Sequence, residues 1–197
     1  MKKRNFIIAS IICALFSISL LVISVYALLN SQSFLINNQI IFKGNDHIKF
    51  LLDAKITGTT YGDGEFAPKY RWDYDYNKTD IHSDSWTVPD LYFDSANKSL
   101  EEIQIVYAFS VVNYSDCDII VEINGPGVLG NGITQKITTG LDKENLQEGT
   151  EVIIEQKQTG EDYNTGYIYL ILGVSDRDGY EGYENVNFEI IVNKYEI

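Results

Sequence analysis

The sequence predicts an all-β protein: an antiparallel β-sandwich, jelly-roll-like or Ig-like, preceded by an N-terminal signal or transmembrane helix. Three observations point there. From residue 33 onward apolar side chains alternate with a period of two rather than 3.6. The alternating segments are rich in β-branched and aromatic residues. Gly, Asn and Asp turns separate them, and no convincing amphipathic helix intervenes.

The first element is apolar. Lys2, Lys3 and Arg4 form a basic flank, and residues 6–29 follow without a charge. As a helix rising about 1.5 Å per residue, such a run is long enough to cross a hydrocarbon core. Val25-Tyr26-Ala27 supplies the small-x-small pattern of a cleavage site, so cleavage after Ala27 is the favoured reading and a retained anchor the alternative. Either way the basic flank stays cytoplasmic and residues 28–197 lie outside the membrane, secreted or on its extracellular face. Ile12 is too bulky before Cys13 for a lipoprotein signal. With Cys13 in the export segment, Cys117 is left without an intramolecular disulfide partner, as a small residue at a strand start.

Strands are expected at 33–42, 48–56, 103–113, 118–124, 151–157, 166–175 and 186–195, with short extras near 70–76 and 133–138. Ile48, Phe50, Leu52, Ala54 and Ile56 mark one buried face. The stretch 103–113 is apolar on both faces, as a covered strand is. Residues 58–90 exceed an ordinary loop and read as an aromatic and acidic insertion in a single domain spanning 28–197. Residues 141–147 hint at a short helix, and Asp178-Gly179 at a turn.

The formal charge is −13, and removing the three N-terminal cations leaves −16 on the rest. Such a surface repels nucleic acid and anionic lipid, leaving cations and cationic partners. The membrane is met only through residues 6–29, if they are retained.

The layout resembles a known family. The export segment ending Val25-Tyr26-Ala27-Leu28 is followed at once by a strand at 34–42. Later the run 109–116, Phe-Ser-Val-Val-Asn-Tyr-Ser-Asp, precedes Ile119-Ile120-Val121-Glu122-Ile123. This is similar to the TasA and camelysin-like secreted proteins. The resemblance implies a jelly-roll-like sandwich on a bacterial surface or in a biofilm matrix, forming fibres when an N-terminal strand completes a neighbouring subunit. The chain is shorter than typical members, and the 58–90 segment has no counterpart that can be aligned. Camelysin-type members have been called metalloproteases, but no zinc-binding residues of such an enzyme are matched here.

Several constellations suggest sites. Asp73, Asp75, Asn77 and Asp84 fall at the first, third, fifth and twelfth positions of an EF-hand-like loop. Lys78 replaces the turn Gly and Asp84 the bidentate Glu, so the alternatives are an irregular Ca2+ loop and a solvated acidic one. Asp176 and Asp178 begin a second acidic cluster. Trp72, Tyr74 and Trp86, with Tyr70 and Tyr76, suit an aromatic platform for a sugar or a protein partner. Residues alternating at 70, 72, 74 and 76 are equally the packing face of a strand. The uncharged segment 31–42, with Phe34, Ile36, Ile40 and Phe42, can add to a sheet edge in its own subunit or another's.

An enzyme is not expected. The chain has two histidines, His47 and His82, and lacks HExxH, Gly-x-Ser-x-Gly, a phosphate-binding glycine loop and a Cys/His set. The expectation is therefore an exported structural or adhesive protein of the cell surface or matrix, self-assembling or contacting surface proteins and glycans. The alternative is a surface-anchored binding module for Ca2+ or carbohydrate.

Overall fold

The computed structural model describes residues 15–23, 33–45, 47–58, 65–75, 81–94, 104–125, 132–160, 162–174 and 183–196. Residues 15–23 are helical, and their apolar side chains, Leu15 to Ile23, face outward. No helix among the described residues is long and apolar enough to cross a membrane.

The rest is β-structure. Eleven strands are described: β1 (Ser33–Gly44), β2 (Lys49–Gly58), β3 (Glu65–Asp75), β4 (His82–Asp94), β5 (Gln104–Asn113), β6 (Ile119–Asn124), β7 (Ile133–Gly140), β8 (Gln147–Glu148), β9 (Glu151–Ile154), β10 (Thr165–Val174) and β11 (Tyr183–Lys194). They form a five-stranded sheet in the order β4-β1-β11-β6-β9 and a six-stranded sheet in the order β3-β2-β5-β10-β7-β8. The inner faces of both sheets share one core, as expected of a two-layer β-fold: Ile40, Phe42, Phe188 and Ile190 on one side, Phe50, Leu52, Tyr107 and Leu170 on the other. All four of the residues at 50, 52, 54 and 56 expected to face inward do so.

One pairing departs from the expected antiparallel plan. The first strand and the last run parallel, from Leu35 opposite Tyr183 to Gly44 opposite Val192. Every other ladder among the described residues is antiparallel. Parallel neighbours need a long crossover, and here residues 45–182, with every other strand of the two sheets, lie between them.

The described residues of the 58–90 stretch form β3 and most of β4, which edge the two sheets. Proline explains why these strands are edges: it cannot donate to a ladder, so it is confined to edge strands and bulges. The β2–β3 register slips between Ala54 and Ile56, opposite the segment holding Pro68. The β1–β4 register slips between Ile36 and Asn38, opposite Pro89 and Asp90. Tyr70 of β3 then closes this side of the core, stacked 5.0 Å from Phe42 and 5.9 Å from Trp86.

The helix expected at 141–147 does not form. Asp142 captures the turn instead: its carbonyl accepts from the Asn145 amide at 3.1 Å, and its carboxylate from the Glu144 amide at 3.0 Å and the Asn145 side chain at 2.6 Å. A side chain that bonds its own backbone two residues on offers the chain a turn in place of a helix. Those two donors hold the Asp142 carboxyl below the usual carboxylate range.

Candidate functional site

The aromatic platform expected from the sequence faces inward. Tyr74 and Trp86 are buried and Trp72 packs against the core. Phe50 meets Trp72 edge-on at 5.4 Å and Tyr74 stacked at 5.0 Å, while the Tyr74 hydroxyl donates to the Gly44 carbonyl at 3.1 Å. Alternation along β3 puts these rings on one face, and that face is the core side. Tyr74 and Trp86 are closed to solvent, and Trp72 is half-buried.

The carboxylates of the EF-hand-like stretch are dispersed. Asp73 and Asp75 are exposed on β3 and Asp84 on β4, while Asn77 lies outside the described residues. Asp75 pairs with Lys49 at 3.1 Å, and Asp84 accepts a hydrogen bond from Tyr70. Burial, and then this bond to a carboxylate, push the Tyr70 phenol well above its ordinary value. Asp176 and Asp178 also lie outside the described residues. Among the described residues no group of three or more His, Cys, Asp or Glu side chains is placed to hold a metal.

The segment singled out for strand addition is an interior strand. β1 lies between β4 and β11, with Ile40 and Phe42 fully buried, so in this subunit it fills its own sheet rather than an edge. For Phe34 and Ile36 only the backbone pairing is described, opposite Phe93 and Leu91 of β4. β1 joins the rest of the fold through a short connection, Gly44 to Ile48, in which His47 adopts a left-handed φ of 57°. That conformation is uncommon for a residue with a Cβ.

A groove on the outer face of the six-stranded sheet was not anticipated. Registers carry one row across it, Arg71 opposite Asp53, Asp53 opposite Ser110, Ser110 opposite Tyr167 and Tyr167 opposite Gly140. A second row sets Lys55 opposite Ala108, Ala108 opposite Tyr169 and Tyr169 opposite Thr138. The small residues Ala108 and Ser110 of β5 make the floor. Tall side chains make the walls: Tyr167 and Tyr169 on one bank, Lys55, Lys69 and Arg71 on the other, with Lys143 from the β7–β8 turn at the tyrosine end. The resulting cleft encloses about 500 Å³. Arg71 and Asp53 sit 3.8 Å apart within it. Burial, then the neighbouring Tyr167, raise the Tyr169 phenol, which keeps its proton as a hydrogen-bond donor.

The sequence does carry a trace of this groove, the i, i+2 spacing of Asp53/Lys55, Lys69/Arg71 and Tyr167/Tyr169 on three strands. Only the strand order brings the three pairs side by side. No protein-family profile and no curated protein matches the chain.

Proposed function

We propose that the chain is an exported structural and adhesive protein of a bacterial cell surface or extracellular matrix, in the manner of TasA-like proteins with a jelly-roll-like sandwich, and that it assembles by exchanging β1 between copies. One observation carries the reading. β1 is the interior strand of its sheet, yet it is bound to its own subunit by two ladders and a single short connection. Withdrawing it opens a slot between β4 and β11 lined by unpaired backbone on both sides, which the same strand from a second copy fits in identical register. The uncharged export segment immediately before β1 and the outward apolar face of residues 15–23 support passage to, or residence at, a membrane.

The test is size-exclusion chromatography and electron microscopy of the full chain, with and without an excess of synthetic peptide covering residues 31–44. Exchange predicts polymers that shorten as the peptide rises, because the peptide caps each open slot. Monomers at all concentrations, or polymers indifferent to the peptide, would refute it.

A further inference from the structure

Residues 5–42 contain no charged side chain, so Lys43 is the first charge after Arg4 and the only one that β1 carries. Alternation with the buried Ile40 and Phe42 sets it on the outer face of the five-stranded sheet. There its ammonium lies 2.8 Å from a carboxylate oxygen of Glu189 on β11, 146 residues away, in a hydrogen-bonded ion pair. The two side chains are only 33% and 37% exposed, so the pair is partly withdrawn from solvent screening.

The ladders define what a strand in this position meets. On the β4 side, Lys43 and Ile41 stand opposite the uncharged Ser83 and Ser85. On the β11 side they stand opposite Ile191 and Glu189, and Glu122 of β6 lies beyond Ile191. The slot between β4 and β11 is therefore neutral on one flank and acidic on the other. A cation is accepted here, and a carboxylate in the same place would face Glu189.

Nothing else about β1 is so discriminating. Backbone N–H and C=O groups pair with any strand, and alternating apolar residues recur elsewhere in this fold. β5 and β10 are also uncharged, apolar strands of ten residues. What sets β1 apart is one cation at its end, placed to meet one carboxylate.

We propose that Lys43 is the residue by which the slot between β4 and β11 recognises its strand: backbone and apolar face let a strand enter, and the contact with Glu189 selects β1. The inference rests on the exchange of β1 proposed above, and names the pair that makes exchange selective for a second copy of this chain. Specificity of this kind needs a repulsive element against wrong strands as well as an attractive one, and Glu189 supplies both.

The experiment compares two fluorescein-labelled peptides covering residues 31–44, native and Lys43→Glu, on the full-length protein kept soluble in mild detergent. Fluorescence anisotropy reads binding, and size-exclusion chromatography reads the shortening of polymers. The native protein should prefer the native peptide about tenfold, because reversal removes an attraction and sets Glu against Glu189. Glu189→Lys should reverse the preference, and Glu189→Gln should largely erase it. Each comparison is between two peptides on one protein, so any loosening of that protein's own β1 cancels. Where Glu189→Lys does not fold, the neutral Glu189→Gln decides. Equal binding of both peptides to the native protein would overturn the proposal, as would a full preference retained by Glu189→Gln; either result leaves β1 exchange standing. Binding of neither peptide, with polymers indifferent to both, would overturn exchange and this proposal together.

Discussion

Asn113 donates its side-chain amide to the Ile154 carbonyl, 3.0 Å away, from a position with no solvent exposure, and so ties the end of β5 to the end of β9 in the opposite sheet. The same amide reaches the carbonyls of Cys117 at 2.9 Å and Glu155 at 3.2 Å, and its oxygen accepts from the Ser115 amide at 2.8 Å. The Ser115 hydroxyl continues the chain, accepting from the Lys49 amide at 2.7 Å and donating to the Lys49 carbonyl at 3.1 Å. One buried polar side chain thus satisfies backbone groups that the ladders leave over.

Asn113→Ala should destabilise the fold by about 3 kcal/mol or more, because several buried backbone groups lose their partner at roughly 1–3 kcal/mol each. Asn113→Asp should be at least as damaging at neutral pH, since it turns an acceptor toward three carbonyls. Its carboxyl would be held protonated in the fold, so the variant should recover stability as the pH falls toward the ordinary Asp value of about 4. Urea unfolding at pH 7 and pH 4 measures both.

Gly44→Ala tests the fit of Tyr74. A Cβ at position 44 would stand 2.8 Å from two atoms of the Tyr74 ring, which is buried and fixed by its bond to the Gly44 carbonyl. Overpacking of this kind costs about 1–3 kcal/mol. Thermal unfolding should show the loss; a variant as stable as the native chain would mean the ring yields freely.

Tyr70 gives the protein an alkaline limit. Its phenol is raised in the fold, first by burial and then by Asp84, so the stability it adds is present below the ordinary tyrosine value of about 10 and is lost as the pH climbs past it. The native melting temperature should hold up to about pH 10 and fall progressively as the pH rises beyond it toward the raised phenol value. In Tyr70→Phe, which keeps the stack between Phe42 and Trp86, the fall should be shallower and the neutral-pH cost about 1 kcal/mol.

Cys117 should be a slow thiol. Burial raises it, the adjacent Asp116 raises it further, and Asp118 adds to this against an opposing pull from Lys194. Iodoacetamide at pH 8 should modify the native protein more slowly than the unfolded one, and Asp116→Asn should speed the native reaction. Mass spectrometry over a time course reads both rates.

Much of the sandwich was legible because period-two alternation names the inner face directly: Ile48, Phe50, Leu52 and Ala54 are buried as their spacing demands. The placement of Trp72 and Tyr74 against the core was legible in the same way, though their residue types invited a ligand. Strand order was not. Nothing local to residue 35 marks residue 183 as its neighbour, and the groove exists only because Lys69, Lys55, Ala108 and Tyr169 come from strands that happen to be adjacent. The turn at 142–145 escaped for a different reason: a helical pattern of side chains was outweighed by one carboxylate bonding its own backbone.

The parallel pairing of β1 and β11 also has a mechanical meaning. The chain enters the fold at Ser33 and leaves it at Lys194, and because the two strands run the same way these points lie at opposite ends of the pair. A tensile force between them, such as flow pulling on a tethered molecule, would load all the slanted rungs from Leu35 to Gly44 together in shear instead of peeling them one by one. Rupture then requires many bonds to fail at once, so the molecule should resist stretching along this axis far better than its equilibrium stability alone would suggest.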